Sequence, residues 1–182
     1  MKELRLTRPE SFRQWAGLYG LYMRAFPKAE RKPFSMIVKM WKKGKTDIWC
    51  VESGGVFLGL GITINGEDTI LLDYFAMVEK YRGKGFGTVA LKTIMARYEG
   101  KRFFLEIENP LEDHPERELR QRRKRFYLAA GLEEMGTFAR LFGVEMELLG
   151  KGAVMCFDQY KAFYRDNYSQ WAAEHVTPSG LE

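Results

Sequence analysis

At 182 residues with 46% hydrophobic and 14% aromatic content, the chain can bury one good core, and no linker-like stretch or internal repeat points to a second. No apolar run reaches the length of a membrane span, and Met1-Lys2-Glu3-Leu4-Arg5 lacks a secretory apolar core, so a single domain over 1–180 in the cytoplasm is expected, with no membrane partner. The net charge of +5 suits nucleic acid or a polyanionic cofactor equally well and cannot choose between them.

Cys50 and Cys156 provide neither a disulfide framework nor metal-ligand spacing. No metal site is expected, and both cysteines read as small buried hydrophobes in a reducing compartment. Leu181-Glu182 is left out of the fold.

In chain order, Glu3 to Thr7 alternates weakly and predicts an edge strand, with Pro9 at the start of a helix. Trp15, Leu18, Tyr19, Tyr22 and Phe26 carry that helix's apolar face until Pro27. A basic and acidic loop, Lys28 to Lys32, leads through Pro33 into a second helix striped by Phe34, Ile37, Val38 and Trp41. Ile48 to Val51 and Val56 to Ile64 flank Gly54-Gly55 as a hairpin, and Asn65-Gly66 turns into a buried strand from Ile70 to Met77.

Directly after that strand comes Tyr81-Arg82-Gly83-Lys84-Gly85-Phe86-Gly87-Thr88, and then Leu91, Ile94, Met95 and Tyr98 at helical spacing. The order is strand, tight turn, helix. Glycines bring the first helical N–H groups close to a ligand, and Arg82 and Lys84 add positive charge, so the turn suits phosphate or diphosphate. A dinucleotide loop needs glycine where Thr88 stands, and the G-x-x-x-x-G-K-[ST] phosphate loop is absent.

Arg82, Gly85 and Gly87 fit R-x-x-G-x-G, which resembles the coenzyme A diphosphate loop of the GNAT superfamily of N-acetyltransferases. The resemblance implies an α/β fold with a mixed, mostly antiparallel sheet of six to seven strands flanked by helices. It implies acetyl-CoA as co-substrate, its diphosphate held by Arg82, Gly83, Lys84, Gly85, Phe86, Gly87 and Thr88. The backbone of Phe75, Ala76 and Met77 would serve the pantetheine arm, and Asn109 would add a further cofactor contact. The two early helices and their loop would wall one side of an acceptor pocket, with the late hairpin around Phe138 to Val144 contributing as well.

Arg102 to Ile107 reads as a further strand with Glu106 and Glu108 on one face, and Glu116 to Ala130 as a helix stopped by Gly131. Thr137 to Phe142 and Val144 to Leu149 form a hairpin through Gly143, and Phe157 to Tyr168 reads as a helix with an aromatic stripe. The late strands and this tail offer a homodimer contact.

Arg125-Phe126-Tyr127-Leu128-Ala129-Ala130-Gly131-Leu132 is similar to a second GNAT signature, which implies that Tyr127 serves the departing thiolate. A phenol is a weaker acid than a thiol, so Arg123 and Lys124, one turn earlier, are expected to lower its pKa. Glu106 and Glu108 stand where the family often places a general base, while Asp73 and His114 are weaker candidates for that work. Six cations between Arg117 and Arg125 could instead suit nucleic acid, but Leu119 and Phe126 make a solvated amphipathic face the better reading. The expectation is an N-acetyltransferase of a small-molecule or peptide amine, against a non-catalytic acyl-CoA sensor, a user of another acyl-CoA, or a nucleic-acid module.

Overall fold

The computed structural model describes residues 3–28, 30–152 and 154–180; Leu181-Glu182, and Ala29 of the predicted loop, lie outside the described residues. The order is β1 (Leu4–Thr7), α1 (Phe12–Ala25), α2 (Phe34–Lys42), β2 (Thr46–Ser53), β3 (Val56–Asn65) and β4 (Thr69–Met77), then a single 3-10 turn at Glu79–Tyr81. There follow α3 (Phe86–Ala96), β5 (Arg102–Glu108), α4 (Arg117–Ala129), β6 (Glu133–Leu141), β7 (Val144–Lys151), α5 (Phe157–Asn167), α6 (Gln170–Glu174) and β8 (Val176–Pro178).

The strands hydrogen-bond in the order β1-β2-β3-β4-β5-β7-β6-β8, a mixed sheet of eight rather than the expected six to seven. The additional strand is β8, which pairs Val176 with Leu141 and Thr177 with Arg140. Its three residues are too few to show an alternation. Two compact units share β4: Met1–Asn65 with Leu72–Glu99, and Gly66–Leu71 with Gly100–Glu182.

In the first unit, α1 begins not at Pro9 but after Ser11, because a reciprocal cap forms there. Gln14 N–H donates to Ser11 Oγ at 3.2 Å, and Ser11 N–H donates to Gln14 Oε1 at 3.0 Å. The apolar face that results buries Leu18 and Tyr22 with Ile37 of α2 against Ile48, Leu60 and Ile62. Each such aliphatic side chain contributes about 1.5 to 3 kcal/mol. The strand β3 is buried almost throughout, and its glycines permit close approach. A Cβ at Gly59 would stand 2.5 Å from Ala76 O, and one at Gly61 2.6 Å from Ile94 Cδ1. Tyr98, expected on the stripe of α3, lies past the helix end, where its hydroxyl donates to Asp47 Oδ2 at 2.8 Å and accepts from Trp49 Nε1 at 3.0 Å.

In the second unit, a parallel ladder pairs Thr69 to Leu71 of β4 with Arg102 to Phe104 of β5. The strand β5 then runs antiparallel to β7, Leu105 opposite Leu149 and Glu106 opposite Leu148. The aromatic stripe of α5 docks as expected, with the rings of Tyr160 and Phe163 standing 6.2 Å and 5.1 Å from that of Phe104. Cys50 is buried as expected, but Cys156 is exposed, because it sits just before the first turn of α5. Among the described residues, no helix is long and apolar enough to cross a membrane.

Candidate functional site

In the first unit, the candidate residues run from the end of β4 into α3. Ala76 and Met77 are buried and Phe75 is half-buried, while Arg82 to Gly85 are exposed. Gly83 and Gly85 adopt φ of 70° and 79°, and a Cβ on either would meet nothing within 4 Å. Glycine is therefore required here for backbone conformation, not for room. Gly85 caps α3, and Val89 N–H to Gly85 O, at 3.2 Å, opens the helical ladder. The amides of Phe86, Gly87 and Thr88 precede that ladder and lie at the positive end of the helix.

The turn is braced from behind. Arg82 donates through Nε to Met77 O at 3.0 Å, and Val78 N–H donates to Leu58 O at 2.8 Å. Beside it opens a cavity of about 660 Å³, lined by Leu21, Arg24 and Ala25 of α1 and by Val78, Glu79, Lys80 and Arg82. The amides of the first turn of α3, the two left-handed glycines and the cations Arg82 and Lys84 form a cradle whose chemistry fits a diphosphate.

Asp73 has no such freedom. Both of its oxygens accept from Lys32 Nζ, at 2.6 Å and 2.7 Å, so it serves as a counter-ion and is withdrawn as a candidate base.

In the second unit, Tyr127 is half-buried on α4 with its ring 5.2 Å from that of Phe126. Burial pushes the Tyr127 phenol above its ordinary pKa, and the Arg123 guanidinium pulls it back only in part. The expected net lowering is thus reversed. Lys124 is engaged elsewhere, 2.6 Å from Glu147 Oε1 and 2.9 Å from Glu134 Oε1. Burial disfavours its charge, but these two carboxylates outweigh that and hold the ammonium above its usual pKa.

The two strand acids have different surroundings. Glu108 Oε2 lies 3.2 Å from Arg120 Nε and 3.6 Å from Arg123 Nη1. Glu106 Oε1 accepts from the hydroxyls of Tyr160 and Tyr164 at 2.8 Å and 2.7 Å. Arg120 is 5% exposed and also reaches Glu112 Oε2 at 2.6 Å, so it ties the end of β5 to the start of α4. Asn109 is buried in that corner, its Oδ1 accepting from Leu111 N–H at 2.9 Å and its own N–H donating to Glu145 O at 2.8 Å. Its side-chain oxygen shapes the turn, which leaves the expected cofactor contact without support from the geometry. His114 Nδ1 accepts from Glu116 N–H at 3.1 Å and braces the start of α4.

Sequence reasoning missed Lys32, Arg120, Tyr160 and Tyr164. Arg120 was hidden in a run that reads as a solvated face, although Arg120, Arg123 and Lys124 are all ion-paired. The only advance sign of the two phenols was their spacing of four in the aromatic stripe of α5.

A family model described as the Acetyltransferase (GNAT) family matches residues 15–134. No match was found among curated proteins. Among solved structures, a GNAT-family protein from Bacteroides thetaiotaomicron is 14% identical, with a TM-score of 0.74 over 94% of this chain and 98% of its own. An acetyltransferase of Bacillus subtilis in complex with CoA is 13% identical, with a TM-score of 0.59 over 82% and 97%. The ribosomal-protein-S18-alanine N-acetyltransferase of Escherichia coli is 15% identical, with a TM-score of 0.58 over 85% and 96%. At such identities these likenesses show the fold alone.

Proposed function

The chain belongs to the GNAT acetyltransferase family, which uses acetyl-CoA, and from that premise we propose that it transfers the acetyl group to a primary amine by direct attack on the thioester. The observation that carries this reading is the cradle at the start of α3. Gly83 and Gly85 lie at positive φ, and Arg82 is anchored to the strand end that the thioester must pass. Arg82 to Thr88 grip the diphosphate, and the backbone of Phe75, Ala76 and Met77 lines the pantetheine arm. An amide near Met77 receives the negative charge that develops on the thioester oxygen. The amine nitrogen forms the new C–N bond, the C–S bond breaks, and the nitrogen gives up its extra proton to water.

Tyr127 then acts through a hydrogen bond. Its raised pKa keeps the phenol neutral, so it donates to the departing thiolate without losing its proton outright. Glu106 and Glu108 are the acids offered to the acceptor, with Asn109 shaping the corner beside them. Two cysteines without a disulfide suit a cytoplasmic setting.

The test is thiol release from acetyl-CoA over a panel of amines. Release with at least one amine is expected, and Tyr127→Phe should lower kcat on the order of a hundredfold while leaving the KM for acetyl-CoA in place. Thermal stabilisation by acetyl-CoA without thiol release from any amine would favour a non-catalytic sensor instead.

A further inference from the structure

Three cations surround the cavity beside the glycine turn, and they reach it from two stretches far apart in sequence. Arg24 comes from the last turn of α1, while Lys80 and Arg82 come from the 3-10 turn and its end. Among the described residues of the lining, Glu79 is the one acid. The rest of the lining is apolar, and Leu21, at 4% exposure, is part of the core packed under α1.

The three cations are not equivalent. Arg82 is committed through Nε to Met77 O at 3.0 Å. Lys80 Nζ stands 4.9 Å from the centre of the Tyr81 ring, a weak partner that brings no counter-charge. Arg24 lies back along its own helix, with Nη1 3.2 Å from the point where a Cβ on Gly20 would stand, so that glycine leaves room for the guanidinium. Among the described residues, neither Arg24 nor Lys80 forms an ion pair.

Like charges gathered at one cavity repel, and an apolar lining limits the water that screens them. An anion relieves that repulsion. Val78 lines the cavity and directly follows Met77, about 3.8 Å away along the chain, and Met77 is where the proposed reaction puts the thioester oxygen. A group in the cavity thus adjoins the reacting carbon. The acetyl group carries no charge, and the diphosphate has the amides of Phe86, Gly87 and Thr88, so the anion falls to the acceptor.

We propose that the cavity between α1 and the 3-10 turn binds a carboxylate of the acceptor, with Arg24 and Lys80 as specificity-determining residues, so that the acceptor is an amino carboxylate and not a simple alkylamine. The proposal rests on the reading as an amine acetyltransferase, and it extends that reading to the class of substrate.

The kinetic test compares 4-aminobutyrate with butylamine, which carries a methyl group in place of the carboxylate. In the wild type kcat/KM should be at least about tenfold higher for 4-aminobutyrate, the size of a charge-assisted contact. The Arg24→Ala, Lys80→Ala double variant should bring the two acceptors within about twofold of each other, through a rise in the KM for 4-aminobutyrate. Equal use of both amines by the wild type, or a preference that survives in the variant, overturns the proposal.

A second measurement needs no turnover, and its probe, propionate, is small enough to enter a cavity of about 660 Å³ whatever the natural acceptor. In wild-type protein labelled with ¹⁵N-arginine and saturated with CoA, sodium propionate should shift the Arg24 Nε–H resonance, assigned through Arg24→Lys, and propylammonium chloride should not. No shift with propionate, or an equal shift with both, overturns the proposal. A shift caused by CoA itself but not by 3′-dephospho-CoA also overturns it, because the cations then serve a phosphate of the cofactor. A propionate-specific shift in a protein that acetylates no amine supports the anion site and refutes the transferase reading alone.

Discussion

Lys32 closes on Asp73 across 41 residues of chain, its Nζ 2.6 Å from Oδ1 and 2.7 Å from Oδ2 of a carboxylate that is 6% exposed. Two phenols complete the fastening: Tyr74 OH donates to Glu30 O at 2.9 Å, and Tyr22 OH donates to Lys32 O at 2.9 Å. The segment between α1 and α2 is thereby latched to the middle of β4. Asp73→Asn should cost about 3 kcal/mol in urea unfolding, because it leaves a partly buried ammonium without its counter-ion. The Lys32→Met, Asp73→Leu pair should lose less than either single change, since both charges go together. A loss under about 0.5 kcal/mol for Asp73→Asn would place the pair among surface ion pairs.

Two glycines separate a packing requirement from a backbone one. At Gly59 an added methyl would meet Ala76 O at 2.5 Å and Met77 Sδ at 2.6 Å, and the carbonyl is backbone that cannot swing away. Gly59→Ala should therefore destabilise by about 3 kcal/mol, the upper range for overpacking. At Gly85 the methyl meets nothing, yet φ is +79°, which costs a residue with a Cβ about 1 to 2 kcal/mol. Gly85→Ala should lose that smaller amount and also bind acetyl-CoA more weakly by calorimetry, because the strain falls on the turn that presents the amides. Equal stability losses in the two variants would contradict this division.

Alkaline pH should unfold the protein through its buried acids. Burial raises the pKa of Tyr22, Tyr74, Tyr98 and Tyr127 above the ordinary phenol value of 10.0, and it pushes the Cys50 thiol from 9.0 up to about 12. For each group the unfolded chain ionises first, so the stabilisation is complete below the unfolded pKa and is lost as pH rises toward the folded one. Urea midpoints should hold steady to about pH 8, begin to fall near pH 9 as the Cys50 value of the unfolded chain is passed, and fall faster above pH 10. Cys50→Ala should remove the first, shallower part of that fall. A midpoint unchanged between pH 8 and pH 11 would mean that these groups ionise alike in both states.

The glycine turn, the helices on either side of it and seven of the eight strands were readable in advance, because each is written in neighbouring residues. Alternation of period two, apolar spacing of three and four, and glycine between cations need no knowledge of what lies across the fold. The start of α1 was missed although Ser11 and Gln14 spelled its cap, since Pro9 offered a competing start signal. The strand β8 was missed because three residues owe their extended form to Leu141 and Arg140 and not to any pattern of their own.

Tyr127 and the turn from Arg82 to Thr88 could be named as candidates from local sequence alone, since a signature of a few adjacent residues marks each. The states of the acids could not. Asp73 became a counter-ion because Lys32 arrives from 41 positions away, and Glu106 is held by Tyr160 from 54 positions away. Burial reversed the expected lowering of the Tyr127 pKa, although Arg123 stands one helical turn from it, as the sequence says. A charge one turn away is a local fact, whereas desolvation is the sum of everything that packs around a group, and only the folded chain supplies that sum.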